Sequence, residues 1–267
     1  MKRRWWIAGA GILLGVAVGF QQAEPLEALR RNGSLAQGVG GLKADEYIFM
    51  PDEKDASRFM DSLAVVARCH SVQGLFVPKI DNLREALGRI AKIEHVTWLR
   101  MRSIDADDRD IAVLTGMGNL KFLDLSDNLR IADAGVAALA GLENLRYLNL
   151  SNTGVTGTGF KGRVDMVSLY QLTLNDCPVT DESLAAIPHF PKLEELLIGG
   201  TEVTDKGLMS VVGWHSLRRA DRTLRTTKAG SKAFNEAFLA ARRKAREAGE
   251  QMDPRDIPPV FLDNWRE

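Results

Sequence analysis

Cysteine is nearly missing from this 267-residue chain: there are two, Cys69 and Cys177. Two thiols so far apart in sequence build no disulfide framework, so both are read as buried free thiols. Charge of one sign is missing as well. Thirty-five basic residues balance 35 acidic ones, and the formal net charge is zero. Nothing in that balance marks the chain as a nucleic-acid binder. Histidine is scarce, with four in all, and none stands at metal-ligand spacing such as H-E-x-x-H. No Gly-x-Ser-x-Gly elbow and no phosphate loop occurs. These absences set the expectation of a non-catalytic chain with no metal and no cofactor. Its 45% hydrophobic content nevertheless provides for an ordinary folded core.

One long apolar run is present. Lys2, Arg3 and Arg4 precede 16 uncharged residues, Trp5 to Phe20. As a helix that run rises about 24 Å, against about 30 Å of bilayer hydrocarbon. Residues 1–23 are therefore expected to be a membrane anchor helix or a signal peptide. The first reading makes the protein single-pass, with residues 5–20 in the membrane and the rest outside the cytoplasm. The alternative is a secreted or periplasmic protein after cleavage near Ala17-Val18-Gly19. Gly11, Gly15 and Gly19 are four apart, as on the close-packed face of a dimerising helix, which adds a structural membrane-anchored dimer to the readings.

The rest of the chain is governed by a period. Val72, Val96, Leu120, Leu145, Leu169, Leu193 and Leu217 follow one another at steps of 24, 24, 25, 24, 24 and 24. Counting each unit from that residue, apolar side chains recur at places 1, 4 and 6, as in Leu169, Leu172 and Leu174. They recur again at places 16, 19 and 22, as in Leu184, Ile187 and Phe190. The first half alternates like a short strand and the second repeats every three residues like one face of a short helix. One unit cannot bury both faces, so the units must stack, with consecutive strands pairing in parallel. Thr180-Asp181 and Thr204-Asp205, with Asp108 and Asp133 at equivalent places, are expected to cap the helices.

This pattern resembles the leucine-rich-repeat family. The stretch Leu193-x-x-Leu196-x-Ile198-x-x-Thr201-x-Val203-Thr204-Asp205-x-Gly207-Leu208 is similar to its cysteine-containing subtype, in which Cys177 takes the named position, and to exported bacterial members. The resemblance implies an α/β solenoid, with a curved parallel sheet on the concave face and short helices on the convex face. It also implies ligand binding on the concave face, without naming a ligand. No F-box is present, so no ubiquitin-ligase role is carried over.

The expected organisation is residues 24–71 as an N-terminal cap and degenerate first repeat, 72–222 as the solenoid, 223–250 as a C-terminal capping helix and 251–267 as a tail. Residues at places 3 and 5 should face outward on the sheet. There Trp98, Phe122 and Tyr147 form a column on adjacent strands, flanked by Arg100, Asp124 and Asn149. Rings about 4.8 Å apart would touch. Such a cluster suits a protein partner, with a glycan stacked on the rings as the alternative and an aromatic ladder that only stabilises the sheet as the plain one. Segment 217–247 carries ten basic and three acidic residues and reads mainly as a solvated helix face.

Overall fold

The computed structural model describes residues 25–37, 45–51, 57–139, 141–163, 165–221, 223–249 and 260–262. The helix α1 (residues 25–32) leads into β1 (Gly33–Gln37), which pairs antiparallel with β2 (Tyr47–Pro51). From β2 onward every neighbouring pair is parallel: β3 (Val72–Phe76), β4 (Trp98–Arg100), β5 (Phe122–Asp124), β6 (Tyr147–Asn149), β7 (Gln171–Thr173), β8 (Glu195–Leu197), β9 (Arg219–Asp221) and β10 (Val260–Leu262). The strands lie in one open sheet in sequence order, as an α/β solenoid requires.

Each return path carries a short helix: α2 (Ser57–Val66), α3 (Leu83–Ile90), α4 (Asp108–Ile111), α5 (Asp133–Ala138), α6 (Asp181–Ala186) and α7 (Asp205–Met209). In the coil after β6 a single 3₁₀ turn, Thr158–Phe160, takes that position. The helix α8 (Lys228–Glu247) follows β9. Leu99, Leu123, Leu148, Leu172 and Leu196, all at place 4, are buried beside the helix residues Leu87, Ile111, Val136, Leu184 and Leu208 in one continuous core. Phe234 and Phe238 of α8 belong to the same core.

Two local devices turn the coil. Place 8 is Ser103, Asp127, Asn152, Asp176 and Gly200, and all five have positive φ, between 53° and 73°. Asn, Asp and Gly tolerate that left-handed conformation best, which explains their presence at the corner. At place 9, Asn128 lies wholly inside. Its Oδ1 accepts from the N–H groups of Ile104 and Ala106, and its Nδ2 donates to the carbonyls of Met101, Leu125 and Ser126. Thr153 and Thr201 make a lighter version, each donating to the carbonyl three residues back.

The capping expectation needs division. Thr180, Thr204 and Thr227 do cap their helices. The aspartates that follow reach the next coil instead. Asp181 accepts from N–H and Oγ1 of Thr204, both at 2.7 Å. Asp205 treats Thr227 in the same way, at 2.8 and 2.7 Å. Asp108 accepts from the N–H of Ala132, and Asp133 from Thr156, Gly157, Thr158 and Gly159. Helix α4 is capped by Asp107, not Asp108.

One expectation is corrected. A single-pass membrane protein was anticipated, but among the described residues no helix is long and apolar enough to cross a membrane. Residues 1–23, on which the anchor, the cleavage site and the glycine-mediated dimer all rested, lie outside the described residues.

Candidate functional site

Strand register decides what the helix-free face of the sheet presents. Gly74, Trp98, Phe122, Tyr147, Gln171, Glu195 and Arg219 stand opposite one another across successive strands. Phe76, Arg100, Asp124, Asn149, Thr173 and Leu197 form the second row.

The aromatic column is continuous and longer than the three rings expected. Phe76 meets Trp98 at 5.3 Å, and Trp98 stacks on Phe122 at 4.4 Å with 7° between planes. Phe122 meets Tyr147 at 6.2 Å, and Tyr147 meets Tyr170 at 5.6 Å. Phe76 is expected to face outward at place 5 but not to join the column, and Tyr170, at place 2, is not expected on this face; both rings lean into the place 3 column.

Exposure rises from Trp98 to Tyr147, with Phe76 and Tyr170 at the two ends half-buried. Trp98 is 7% exposed, Phe122 half-buried and Tyr147 37% exposed. Trp98 lies opposite Gly74, where an added Cβ would sit 3.3 Å from the Trp98 Cβ. Its indole Nε1 is buried without a hydrogen-bond partner. Of the three rings expected, Phe122 and Tyr147 are the ones a ligand can touch, and exposed Lys121 and Arg146 directly precede β5 and β6.

The polar flank is partly committed to the fold. Arg100 lies 4.9 Å over the Phe76 ring and holds Asp124 through Nε at 3.2 Å. Asp124 is buried, and its other oxygen accepts from the N–H and Oγ of Ser126. Asn149 repeats that turn with Ser151. Both side chains close a local bend in the backbone. Of the six residues expected to form the site, Arg100, Phe122, Tyr147 and Asn149 therefore present surface, while Trp98 and Asp124 support them from below.

Further along the face, burial and then the charges of Glu194 and Glu195 push the Tyr170 phenol up. Burial likewise raises the Asp221 carboxyl, against the pull of Arg219. His189 Nε2 lies 3.5 Å from the hydroxyl of Ser216. His70 and His95 stack at 4.7 Å, and burial followed by the His70 charge lowers His95. Among the described residues no cluster of three or more His, Cys, Asp or Glu side chains is placed to hold a metal. Cys177 donates to the carbonyl of Leu150, and burial raises its thiol.

Residues 119–140, which span β5 and the Asn128 corner, match a family model described as a leucine rich repeat. Among solved structures the chain is similar to internalin C2 of Listeria monocytogenes, at 22% identity over 60% of this chain and 64% of that one, with a TM-score of 0.45. It is similar to an internalin, inlF, of the same organism, at 15% identity over 77% and 58% respectively, with a TM-score of 0.44. TLR13, in its complex with ssRNA13, shares 17% identity over 61% of this chain and 27% of its own, with a TM-score of 0.41. The chain thus spans less than two thirds of each of these structures. No curated protein matches it.

Proposed function

We propose that this chain, a leucine-rich-repeat protein, is a non-catalytic module that binds a protein partner on the helix-free, concave face of its sheet. The supporting observation is the graded aromatic column. Trp98 is buried and fixes the stack, and Phe122 and Tyr147 beside it offer ring surface. Half-buried aromatics beside Arg100, Lys121 and Arg146 combine a desolvated centre with a polar rim, the arrangement found at interface hot spots. Rigid strands hold the rings, so little side-chain entropy is lost on binding. In the same reading residues 24–71 and 223–250 close the two ends of the stack.

The test removes the accessible rings and spares the buried one. A chain carrying Phe122→Ala and Tyr147→Ala should keep its fold by circular dichroism and lose a partner captured by the unaltered protein. Retention of that partner by the double variant would reject the site. A glycan is the second reading, because a sugar ring can lie on the Tyr147 face. Binding on a glycan array that Tyr147→Ala abolishes would favour it over a protein.

A further inference from the structure

Beside the column, between β2 and the corners after β3 and β4, lies a groove of about 720 Å³. Its floor and sides include Phe76, Pro51 and Ile104, and its cations are Lys79, Arg100 and Arg102. Among the described residues no carboxylate lines it.

The two arginines are held in the same way. Arg100 uses Nε to contact Asp124, and Arg102 uses Nε to contact Asp127 at 2.6 Å. A guanidinium has five N–H donors, so one Nε contact orients the group and leaves the terminal amino groups unspent. Both Asp partners lie on the following coil. The arginines are thus anchored from one side while their remaining donors are available to the groove. Lys79 pairs with Asp105 where both side chains are 66% exposed. Such a pair exchanges for another carboxylate at little cost. Phe76, under the Arg100 guanidinium, gives that charge an apolar backing.

We propose that this groove receives an acidic peptide segment of the partner, with a carboxylate between Arg100 and Arg102 and an adjoining apolar side chain against Phe76 and Ile104. This rests on the reading of the helix-free face as a protein-binding surface, and it adds the chemistry of what is bound. A carboxylate fits two forked donors better than an uncharged or basic segment would. The apolar floor calls for a neighbour that a bare phosphate chain would not supply.

The probe is a display library of random twelve-residue peptides, selected on the full chain. The expected result is enrichment of Asp and Glu next to an apolar residue. Peptides so selected should bind Arg102→Gln, an exposed change that leaves the core untouched, roughly tenfold more weakly by fluorescence anisotropy. Their affinity should also fall with added salt. Selection of peptides without acidic residues, failure to select any, or equal binding by Arg100→Gln and Arg102→Gln would each overturn the proposal. So would tighter binding of a single-stranded oligonucleotide that the same two variants abolish. Phe122→Ala with Tyr147→Ala separates the two readings. If selected peptides need the arginines but not the rings, the groove stands and the aromatic site falls.

Discussion

Glycines in the repeat are not equivalent, and their neighbours say which can be replaced. A Cβ on Gly207 would lie 2.2 Å from Oδ1 of Asp181, the carboxylate reaching across from the coil before. Gly135 meets Asp108 and Gly230 meets Asp205 in the same way. Gly207→Ala should therefore cost about 1–3 kcal/mol, through displacement of that carboxylate. Gly88 lies within α3 and has nothing within 4 Å of an added Cβ. Gly88→Ala should stabilise the chain by about 0.5–1 kcal/mol. Urea midpoints of the two variants, moving in opposite directions, check both statements.

Asp133 allows a prediction with pH. Burial opposes its charge, but hydrogen bonds from Thr156, Gly159, Thr158 and Gly157 outweigh it and hold the carboxyl below its usual 3.8. A carboxyl lowered on folding stabilises the native state above the unfolded value and loses that contribution as pH falls through the lower, folded one. Asp133→Asn should thus be less stable than the parent at pH 7, with the difference shrinking below about pH 4. Urea titrations from pH 3 to pH 7 measure the gap, and a gap independent of pH would refute the assignment.

Among elements, the corner after each strand differs in strength. At Asn128 one buried amide serves two N–H donors and three carbonyls. At Thr153 and Thr201 a hydroxyl serves one carbonyl. Asn128→Ala leaves the N–H groups of Ile104 and Ala106 without that acceptor, at a cost of about 2–4 kcal/mol. Amide exchange should quicken first around 101–106 and 125–128. Uniform exchange through the chain would contradict that localisation.

The element scale also shows what could be read in advance. The strands at places 3 to 5 and the buried residues at 1, 4, 6, 16, 19 and 22 follow from periodicity alone, because burial on stacked coils repeats with the sequence. The left-handed corner at place 8 was not read, since Ser103, Asp127, Asn152, Asp176 and Gly200 share a backbone angle and not a hydropathy. The aspartates after Thr180 and Thr204 resembled caps because local sequence does not say which coil a carboxylate reaches. Trp98 was expected at the surface with Phe122 and Tyr147. Its burial depends on Phe76 and Gly74 one strand away, which no reading within its own repeat reveals.

At the scale of the molecule, stability is a chain of neighbour contacts, so the ends matter most. Phe234 and Phe238 of α8 are buried against the last coil and stack at 5.7 Å. A chain ending at Thr227 would bare the core residues they cover. It should show a lower urea midpoint and a tendency to associate in size-exclusion chromatography. A truncated chain that stays monomeric with the same midpoint would show α8 and β10 both to be dispensable.

The hydrogen bonds that Thr156, Thr204 and Thr227 donate to the aspartate one coil earlier have a further implication. The joint recurs at Asp133–Thr156, Asp181–Thr204 and Asp205–Thr227, whereas Gly157 stands at the aspartate's place before Thr180, so excision of that one turn should leave a matched edge. Deleting residues 157–180 would bring Thr156 directly before Asp181, and Asp133 would still find its hydroxyl donor. The architecture is modular at these joints, and the chain shortened by that one turn should still unfold cooperatively in urea.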